Sequence, residues 1–225
     1  MKNKIKACIF DLDGTLLDTP RGVAYHLNEV LSREGLGSIS VESVRAILGN
    51  GARNLVNRAC ALVGVTDSEK IENIYRLYNE HYDASPDSLV EVYDGVRELI
   101  AALSGLGIRL AVLSNKPHYA TKVLVERYFG DSFDIVLGGR DDIPLKPAPD
   151  GVLHITGSLG ISVSECAYVG DSEPDVDTAK NAKIGLPIMV LWGLRSREQL
   201  EAVGAKNFAH SAGDVLDIIK GENEA

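Results

Sequence analysis

Polar side chains able to carry out chemistry follow four of the short apolar runs in this sequence. In chain order they are Asp11 and Asp13, Ser114 and Asn115, Lys146, and Asp171 and Asp175. Clustered carboxylates repel one another and are costly to bring together unless a cation neutralises them. A ligand set made only of oxygen atoms, with few dedicated carboxylates, suits Mg²⁺ better than Ca²⁺. If these segments meet in the fold, the residue types predict a magnesium site.

Each of these residue types has a role in phosphoryl transfer. Asp11 ends a buried strand, so its position is rigid, as an in-line nucleophile requires. Asp13 lies two residues later and can point the same way, protonate the leaving oxygen and then deprotonate water. Ser114 offers a hydroxyl and Lys146 a fixed positive charge to the phosphoryl oxygens. Because phosphoryl transfer depends mostly on positioning and charge neutralisation, the set predicts a metal-dependent phosphatase.

Taken singly, each feature also has an ordinary structural explanation. Asp-x-Asp is common in turns, Asp171-Ser172 can begin a helix, and Lys146 can be a solvated surface lysine. Single motifs discriminate weakly between such explanations. Their joint occurrence, in order and each at the end of a strand, is what favours a catalytic site.

The apolar runs themselves predict the strands that position these residues. They are Lys6–Phe10, Arg109–Leu113, Asp134–Leu137, Cys166–Val169 and Pro187–Leu191. Continuous apolar runs are expected where helices cover both faces of a parallel sheet. The helical patterns between the later strands are Val96–Leu106, Tyr119–Tyr128, Asp150–Leu159 and Asp175–Ala182. The alternation predicts an α/β core with a doubly wound, Rossmann-like parallel sheet, which binds ligands at the carboxyl ends of its strands.

The interval from residue 18 to residue 90 breaks this alternation, because its patterns are helical only. The four candidate helices are Arg21–Glu34, Val41–Leu48, Ala52–Leu62 and Ser68–Ala84. We therefore predict an all-helical domain of residues 18–90, inserted into a catalytic core of residues 1–17 and 91–225. Residues 221–225 are expected to fray at the end of the chain.

Composition and charge disfavour several classes of function. The formal net charge of −9 disfavours a general nucleic-acid binder, which would show a basic face. No segment looks long and apolar enough to span a bilayer, and the short run after the basic first residues is interpreted as a strand rather than a signal peptide. The three cysteines lack CxxC spacing and predict neither a disulfide framework nor a zinc site. We expect a cytoplasmic protein with neither membrane nor nucleic-acid partners.

Four segments resemble the four motifs of the haloacid dehalogenase superfamily. They are Asp11-Leu12-Asp13-Gly14-Thr15-Leu16, Leu113-Ser114-Asn115, Lys146-Pro147, and Gly170-Asp171-Ser172 with Asp175. The resemblance covers nearly the whole chain. It implies that Asp11 is the nucleophile and Asp13 the general acid and base. Ser114, Asn115 and Lys146 would bind the phosphoryl group.

The same resemblance implies a metal site and a moving domain. Mg²⁺ would be held by the Asp11 carboxylate, the backbone carbonyl of Asp13 and Asp171. Thr15 and Asp175 would support this site, Asp175 either directly or through water. The inserted helices resemble a C1-type cap, which closes over the active site and excludes water while substrate is bound.

Within the superfamily the chain is similar to the phosphoglycolate phosphatase-like branch. The segment of residues 45–52 resembles that branch's substrate-facing segment, which makes Arg45 and Asn50 candidate substrate contacts. The resemblance implies hydrolysis of a small phosphorylated metabolite, with 2-phosphoglycolate as the leading candidate. Arg195 and Arg197 are predicted to be a solvated pair.

Other functions stay open on the sequence alone. A phosphomutase or a pyrophosphatase is compatible with the same scaffold, and a non-enzymatic protein that accepts or binds phosphate would retain similar residues. The five histidines show no paired metal-ligand spacing and are interpreted as surface or helix-packing residues. The sequence identifies neither the leaving group nor the oligomeric state, and a monomer and a homodimer are both compatible with it.

Overall fold

The structure, a computed structural model, describes residues 4–224. Within that range there are eight strands and ten α-helices. The strands, β1 to β8, are Ala7–Phe10, Leu17–Asp18, Glu91–Val92, Arg109–Pro117, Ile135–Gly139, Cys166–Gly170, Leu186–Val190 and Phe208–Ala209. The helices, α1 to α10, are Pro20–Arg33, Val41–Ile47, Gly51–Leu62, Ser68–Ala84, Val96–Gly105, His118–Phe129, Asp150–Leu159, Glu173–Ala182, Arg197–Ala202 and Ala212–Glu224. Residues 1–3 and 225 of the predicted core lie outside the described residues.

Six of the strands form one parallel sheet in the order β5-β4-β1-β6-β7-β8. At its centre β1 pairs with β4 on one side, where Ala7 lies opposite Arg109, and with β6 on the other, where Ala7 lies opposite Cys166. The predicted parallel α/β sheet is confirmed. The carboxyl ends of β1, β4 and β6 are therefore neighbours, and the segments that follow them meet.

The side chains of β1 alternate between two apolar layers, because successive residues of a strand point to opposite faces. Cys8 and Phe10 belong to the cluster that includes α5 and α10. Ala7 and Ile9 belong to the cluster that includes α7 and α8. Every residue of β1 is buried, so the strand that ends at Asp11 is fixed from both faces.

The helices α1 to α4 share an apolar cluster of their own. Its fully buried members include Leu27, Leu31, Val56 and Ile74, which lie on three different helices. From this packing we propose that residues 18–90 form an inserted cap, as the sequence predicts. The cluster also includes Ala120 and Leu194, through which the four helices rest on the part of the chain that forms the sheet.

The two short strands β2 and β3 connect these parts. They pair antiparallel, with Leu17 opposite Val92 and Asp18 opposite Glu91. The chain leaves the sheet along β2 and returns along β3, so both crossings lie side by side.

The end of the chain differs from the prediction. The expected fraying of residues 221–225 is wrong as far as residue 224, because α10 continues to Glu224. The Asn223 side chain accepts a hydrogen bond from the Ile5 backbone N–H at 2.6 Å and donates one to the Ile5 carbonyl at 3.3 Å. This pair fixes the last turn of α10 against the start of the central strand. Among residues 4–224, the helices are all too short or too polar to cross a membrane.

Candidate active site

The predicted site residues meet at the carboxyl end of the sheet. Asp11 follows β1, Ser114 and Asn115 lie within β4, and Asp171 follows β6. One oxygen each of Asp11, Asp171 and Asp175 lies within 4.8 Å of the others, and all three side chains are buried.

Lys146 lies between two of these carboxylates. Its Nζ is 2.8 Å from Asp11 Oδ1 and 2.7 Å from Asp175 Oδ1, and its side chain is 2% exposed. Burial alone would lower the pKa of Lys146, but the charges of Asp11 and Asp175 outweigh it and hold this pKa above the ordinary value. The lysine is therefore a permanent cation in contact with the predicted nucleophile.

The side-chain amide of Asn115 holds the backbone of Lys146 in position. The Asn115 Oδ1 accepts a hydrogen bond from the Lys146 N–H at 2.8 Å, and its Nδ2 donates to the carbonyls of Lys146 and Gly49 at 3.0 Å each. Both ends of the Asn115 side-chain amide are therefore engaged by backbone, and the phosphate-binding role of Asn115 stays a prediction. Ser114 is 3% exposed and lines the cavity beside Asp11, as expected for a phosphoryl-binding hydroxyl.

The three carboxylates have different electrostatic environments. Burial, and then the charge of Asp175, raise the pKa of Asp11 well above its ordinary value although Lys146 opposes the shift. Burial and Asp175 also raise the pKa of Asp171, to about 7. Burial would raise the pKa of Asp175 as well, but Lys146 together with donors from Ser172 and Tyr168 lowers it. The raised pKa values of Asp11 and Asp171 reflect carboxylates that lack enough positive charge.

Asp175 has no capacity left for a further ligand. Its Oδ1 accepts hydrogen bonds from Lys146 and from the Tyr168 hydroxyl at 2.9 Å. Its Oδ2 accepts from the Asp171 N–H at 3.2 Å and from the Ser172 N–H and hydroxyl at 3.0 and 2.5 Å. This pattern favours a role for Asp175 in holding the loop after β6 and Lys146, rather than direct metal ligation.

Asp171 is held in a narrow backbone cradle. Thr15 donates its hydroxyl to Asp171 Oδ1 at 2.9 Å, and the Leu194 N–H donates to Oδ2 at 2.7 Å. A Cβ on Gly14, whose φ is +88°, would lie 2.2 Å from Asp171 Oδ2, and one on Gly193 would lie 2.4 Å from the same atom. Only glycine fits at these two places. The cradle and the all-oxygen donor set fit a small hard cation between Asp11 and Asp171.

Asp13 has two partners on one oxygen. The Thr19 hydroxyl donates to Asp13 Oδ1 at 2.6 Å, and Lys116 Nζ lies 2.9 Å from the same atom. Burial would lower the pKa of Lys116, but Asp13 and Tyr82 outweigh it and raise that pKa above the ordinary value. The sequence analysis did not select Lys116, although it directly follows the Ser114-Asn115 pair at the end of the same strand.

These side chains open into a small cavity of about 40 Å³. The sheet side contributes its charged and hydroxyl groups. Helices of the proposed cap contribute mainly apolar and aromatic groups, among them Val23, Leu48, Leu55, Tyr78 and Tyr82. Since one water needs about 10–15 Å³ on this measure, only a few non-hydrogen atoms fit without movement of the helices.

Arg45 and Asn50, the predicted substrate contacts, do not line this cavity. The Arg45 guanidinium donates to the Gly193 carbonyl at 3.1 Å and lies 3.4 Å from Asp18 Oδ1. Asn50 borders a separate surface groove with Arg45. The end of α2 faces the segment after β7, and the Arg45 guanidinium is used there. Substrate contacts of Arg45 and Asn50 stay predictions.

Arg195, predicted to be solvated, is buried at the same contact. Its Nε lies 2.8 Å from Glu173 Oε2, and its guanidinium donates to the carbonyls of Arg45 at 2.9 Å and Leu48 at 3.1 Å. That part of the prediction is wrong, because the orphan carbonyls at the end of α2 need donors. Arg197 is exposed and pairs with Glu201, as a surface residue does.

Known proteins share this sequence pattern and fold. The model of the haloacid dehalogenase-like hydrolase family matches residues 5–183. A phosphoglycolate phosphatase of Rhodospirillum rubrum is 36% identical over 206 residues, which cover 89% of this chain and 85% of the relative. One from Pectobacterium atrosepticum is 32% identical over 180 residues, 79% of this chain and 77% of that protein.

A solved structure supports the same grouping. A protein from Lactobacillus delbrueckii subsp. bulgaricus, whose designation as a phosphoglycolate phosphatase is itself provisional, superposes with a TM-score of 0.91 at 32% sequence identity. The match covers 96% of this chain and 98% of the other. The similarity therefore includes the four helices as well as the sheet.

Proposed function

The chain belongs to the haloacid dehalogenase-like hydrolase family, and on that premise we propose that it hydrolyses 2-phosphoglycolate with Mg²⁺, through a phosphoaspartate on Asp11. The observation that carries the proposal is the position of Lys146 Nζ, which bridges Asp11 Oδ1 at 2.8 Å and Asp175 Oδ1 at 2.7 Å. A lysine in this place neutralises a phosphoryl group bound next to the nucleophile.

In the first half-reaction a carboxylate oxygen of Asp11 attacks phosphorus, and the bond from phosphorus to the ester oxygen breaks. Asp13 gives its proton to that oxygen, so glycolate leaves as the alcohol. Thr19 and Lys116 both hold Oδ1 of Asp13. This leaves Oδ2 as the oxygen that carries the transferred proton.

In the second half-reaction water attacks the phosphoaspartate. Asp13 now takes a proton from the water, and the oxygen of that water bonds to phosphorus. The bond from phosphorus to Asp11 breaks at the same time. Phosphate and the original Asp11 carboxylate are the products. Ser114 and Lys146 hold the phosphoryl oxygens through both halves.

The metal would be held by the Asp11 carboxylate, the Asp13 carbonyl and Asp171, with Thr15 orienting Asp171. When bound, Mg²⁺ supplies positive charge that offsets the charge on the carboxylates and on the transferring group. Asp175 acts by holding Lys146 and the loop after β6. These assignments agree with the crowded hydrogen bonding of Asp175 and the remaining capacity of Asp11 and Asp171.

The choice of 2-phosphoglycolate is supported by the relatives named phosphoglycolate phosphatase, at 36% and 32% identity. The small cavity also favours a leaving group of a few atoms, because a sugar would require a larger movement of the helices. A phosphomutase would require room for a sugar phosphate in the same cavity, whose lining includes the side chains of Leu48, Leu55 and Tyr78.

The test is phosphate release by purified protein from p-nitrophenyl phosphate and from 2-phosphoglycolate, with Mg²⁺ and then with chelator. We expect metal-dependent turnover of both that is lost in Asp11→Asn, a change that keeps shape and removes the nucleophile. Asp131→Asn, at an exposed acidic residue, is the matched control. Turnover of p-nitrophenyl phosphate without turnover of 2-phosphoglycolate would refute the proposed substrate but would still support phosphatase activity. No turnover of any monoester would favour a phosphate-binding protein, and turnover in Asp11→Asn would refute the nucleophile.

A further inference from the structure

Lys116 is a buried cation at the cavity wall that holds the proposed general acid and has no assigned contact with the substrate. Its Nζ lies 2.9 Å from Asp13 Oδ1 and 5.0 Å from the centre of the Tyr82 ring, and the residue is only 8% exposed. An ammonium group at this depth is costly to keep unless it has an anionic partner, and Asp13 is that partner here. A lysine so placed can also receive a second anion that binds next to Asp13.

Within the described chain, the cavity is lined by two cations, Lys116 and Lys146. Lys146 is committed to Asp11 and Asp175 and faces the phosphoryl end of the site. Lys116 lies instead on the side of Asp13, where the ester oxygen and the leaving group must be. A second cation at that end indicates a substrate with a second anionic group.

We propose that Lys116 binds the carboxylate of the substrate, and that this contact selects phosphate monoesters with a carboxylate one methylene from the ester oxygen. The inference rests on the proposed function, because the position of the leaving group follows from the role of Asp13. It assigns substrate selection to a residue of the sheet, next to the proposed general acid, rather than to Arg45 or Asn50.

The geometry follows from the reach of one side chain. Asp13 must contact the ester oxygen to protonate it, and Lys116 Nζ is within hydrogen-bond distance of the Asp13 carboxylate. In 2-phosphoglycolate a single methylene separates the ester oxygen from the carboxylate carbon. The carboxylate therefore falls in the neighbourhood of Lys116 whenever the ester oxygen is next to Asp13.

The charges also balance in this arrangement. Asp13 carries a proton when it acts as the acid, so it then gives Lys116 no full negative charge. A substrate carboxylate restores the ion pair, whereas a neutral leaving group leaves a buried ammonium without a partner. Rejection of the neutral analogue is the stronger source of selectivity, since an unpaired buried charge is penalised more than a made pair is rewarded.

The cap helices exclude water from this contact. Tyr82 places its ring over the Lys116 ammonium, and Tyr78 and Leu55 line the same cavity. A charge pair formed under such a cover is screened less than one at the surface. Besides the two lysines and Asp11 and Asp13, the lining includes one more charged residue, Asp83, which lies at the exposed rim.

The experiment compares kcat/KM for 2-phosphoglycolate and for its amide, 2-phosphoglycolamide, which has nearly the same shape without the carboxylate charge. Wild type should prefer the acid. Lys116→Met should lower the ratio of the two kcat/KM values by about 30-fold or more, the effect of removing one partner of a buried charge pair. The matched control is Lys122→Met, an exposed lysine on α6, which should keep the wild-type ratio.

Lys116→Gln keeps a hydrogen bond to Asp13 without the charge, and it serves if the methionine variant fails to fold. Its ratio should fall in the same way. Equal losses for both substrates would mean that Lys116 acts only through Asp13 and would overturn the proposal. Equal rates of hydrolysis of the amide and the acid by the wild type would also overturn the proposal for Lys116. Turnover of either ester by the wild type would nevertheless support the proposed phosphatase activity. No turnover of either ester would refute the proposed function itself.

Discussion

At the residue scale, each of the two carboxylates proposed to react has its own lysine. Asp11 contacts Lys146 at 2.8 Å, and Asp13 contacts Lys116 at 2.9 Å. Lys116 belongs to β4 and Lys146 to the segment after β5, so the nucleophile and the acid are neutralised separately. One aspartate can therefore exchange a proton while the charge next to the other stays constant.

Asp13→Asn should slow turnover by about 10²–10⁴-fold, the usual contribution of general acid–base catalysis. Asparagine still accepts the hydrogen bonds of Thr19 and Lys116 and keeps the backbone carbonyl, which is the proposed metal ligand. Mg²⁺ affinity should therefore change little. Phosphate release gives the first quantity and calorimetric titration the second. A parallel loss of metal affinity would contradict the separation of roles.

Lys146→Met should lower kcat/KM by about 10²–10³-fold, the effect of removing one preorganised charge partner of the transition state. The variant also leaves Asp11 and Asp175 without their shared cation, so stability should fall by about 3–5 kcal/mol. Urea unfolding measures the second effect, and Lys180→Met, at a half-exposed surface lysine, is the control. Wild-type kinetics would show that Lys146 does not act on the phosphoryl group.

The types and order of the site residues were predictable, but their partners were not. Strand ends that carry Asp11, Ser114 and Asp171 follow from apolar runs in the sequence. The contact of Asn115 with the Lys146 backbone joins residues 31 positions apart and leaves no pattern along the chain. Lys116 was missed for the same reason, since its significance comes from its contact with Asp13, in the segment after β1.

At the scale of elements, long periodic segments were predictable and short ones were not. The predicted bounds of α4 and α7 match the structure. Strands β2 and β3 have two residues each, too few for any periodic pattern, and they form because they pair with each other. Helices α9 and α10 were not predicted at all. α10 is stabilised by contacts with α5 and with Ile5 that only the fold supplies.

A histidine pair joins helices α1 and α4 inside the proposed cap. His26 is buried, with its Nδ1 2.8 Å from His81 Nδ1 and its Nε2 3.1 Å from the Ser85 carbonyl. A carbonyl only accepts, so His26 donates from Nε2 and its neutral Nδ1 accepts from His81. A second proton on His26 would bring two N–H groups face to face.

Burial, and then the neighbouring His81, lower the pKa of His26 from 6.5 to about 4. Lys116 contributes to this lowering of the pKa, whereas the Ser85 carbonyl and Asp87 oppose it. The unfolded chain therefore binds more protons than the folded protein between pH 6.5 and pH 4, and the folded protein loses stability as the pH falls through this range.

From pH 7 to pH 4.5, the protonation of His26 in the unfolded chain should lower the free energy of unfolding by about 2–3 kcal/mol. Urea unfolding of His26→Gln should show a pH dependence smaller by this amount, with exposed His154→Gln as control. An unchanged dependence would mean that His26 is not the titrating group.

At the scale of the whole molecule, a folded site that holds a cation links metal binding to stability. Free Mg²⁺ at 100 times its Kd should stabilise the protein by about 2.7 kcal/mol. For a chain of this size that corresponds to a rise in Tm of about 5–10 °C. Calorimetry with Mg²⁺ and with chelator measures the shift. Asp171→Asn should lose it and Asp131→Asn should keep it, and a full shift in Asp171→Asn would rule out the proposed ligand.

The parallel sheet was the most predictable property of the molecule, because it follows from five buried runs and the helices between them. The placement of the sheet relative to the helices of the proposed cap was not predictable, because it depends on contacts such as those of Arg195 with the last carbonyls of α2. The Arg195 guanidinium, in the segment after β7, donates hydrogen bonds to carbonyls at the end of a helix that is distant in sequence. No sequence pattern predicts such a contact. The Arg45 side chain donates to the Gly193 carbonyl of the same segment.

The paired strands β2 and β3 have a consequence for how such a protein can change. Asp18 and Glu91 are opposite each other, so the stretch of chain between them begins and ends at the same place beside the sheet. A different insert could replace this stretch at the β2–β3 pair without a change in the path of any strand of the six-stranded sheet. The residues of this stretch that contact the leaving group could then be replaced as one unit, while Asp11, Lys146 and Asp171 stay where they are.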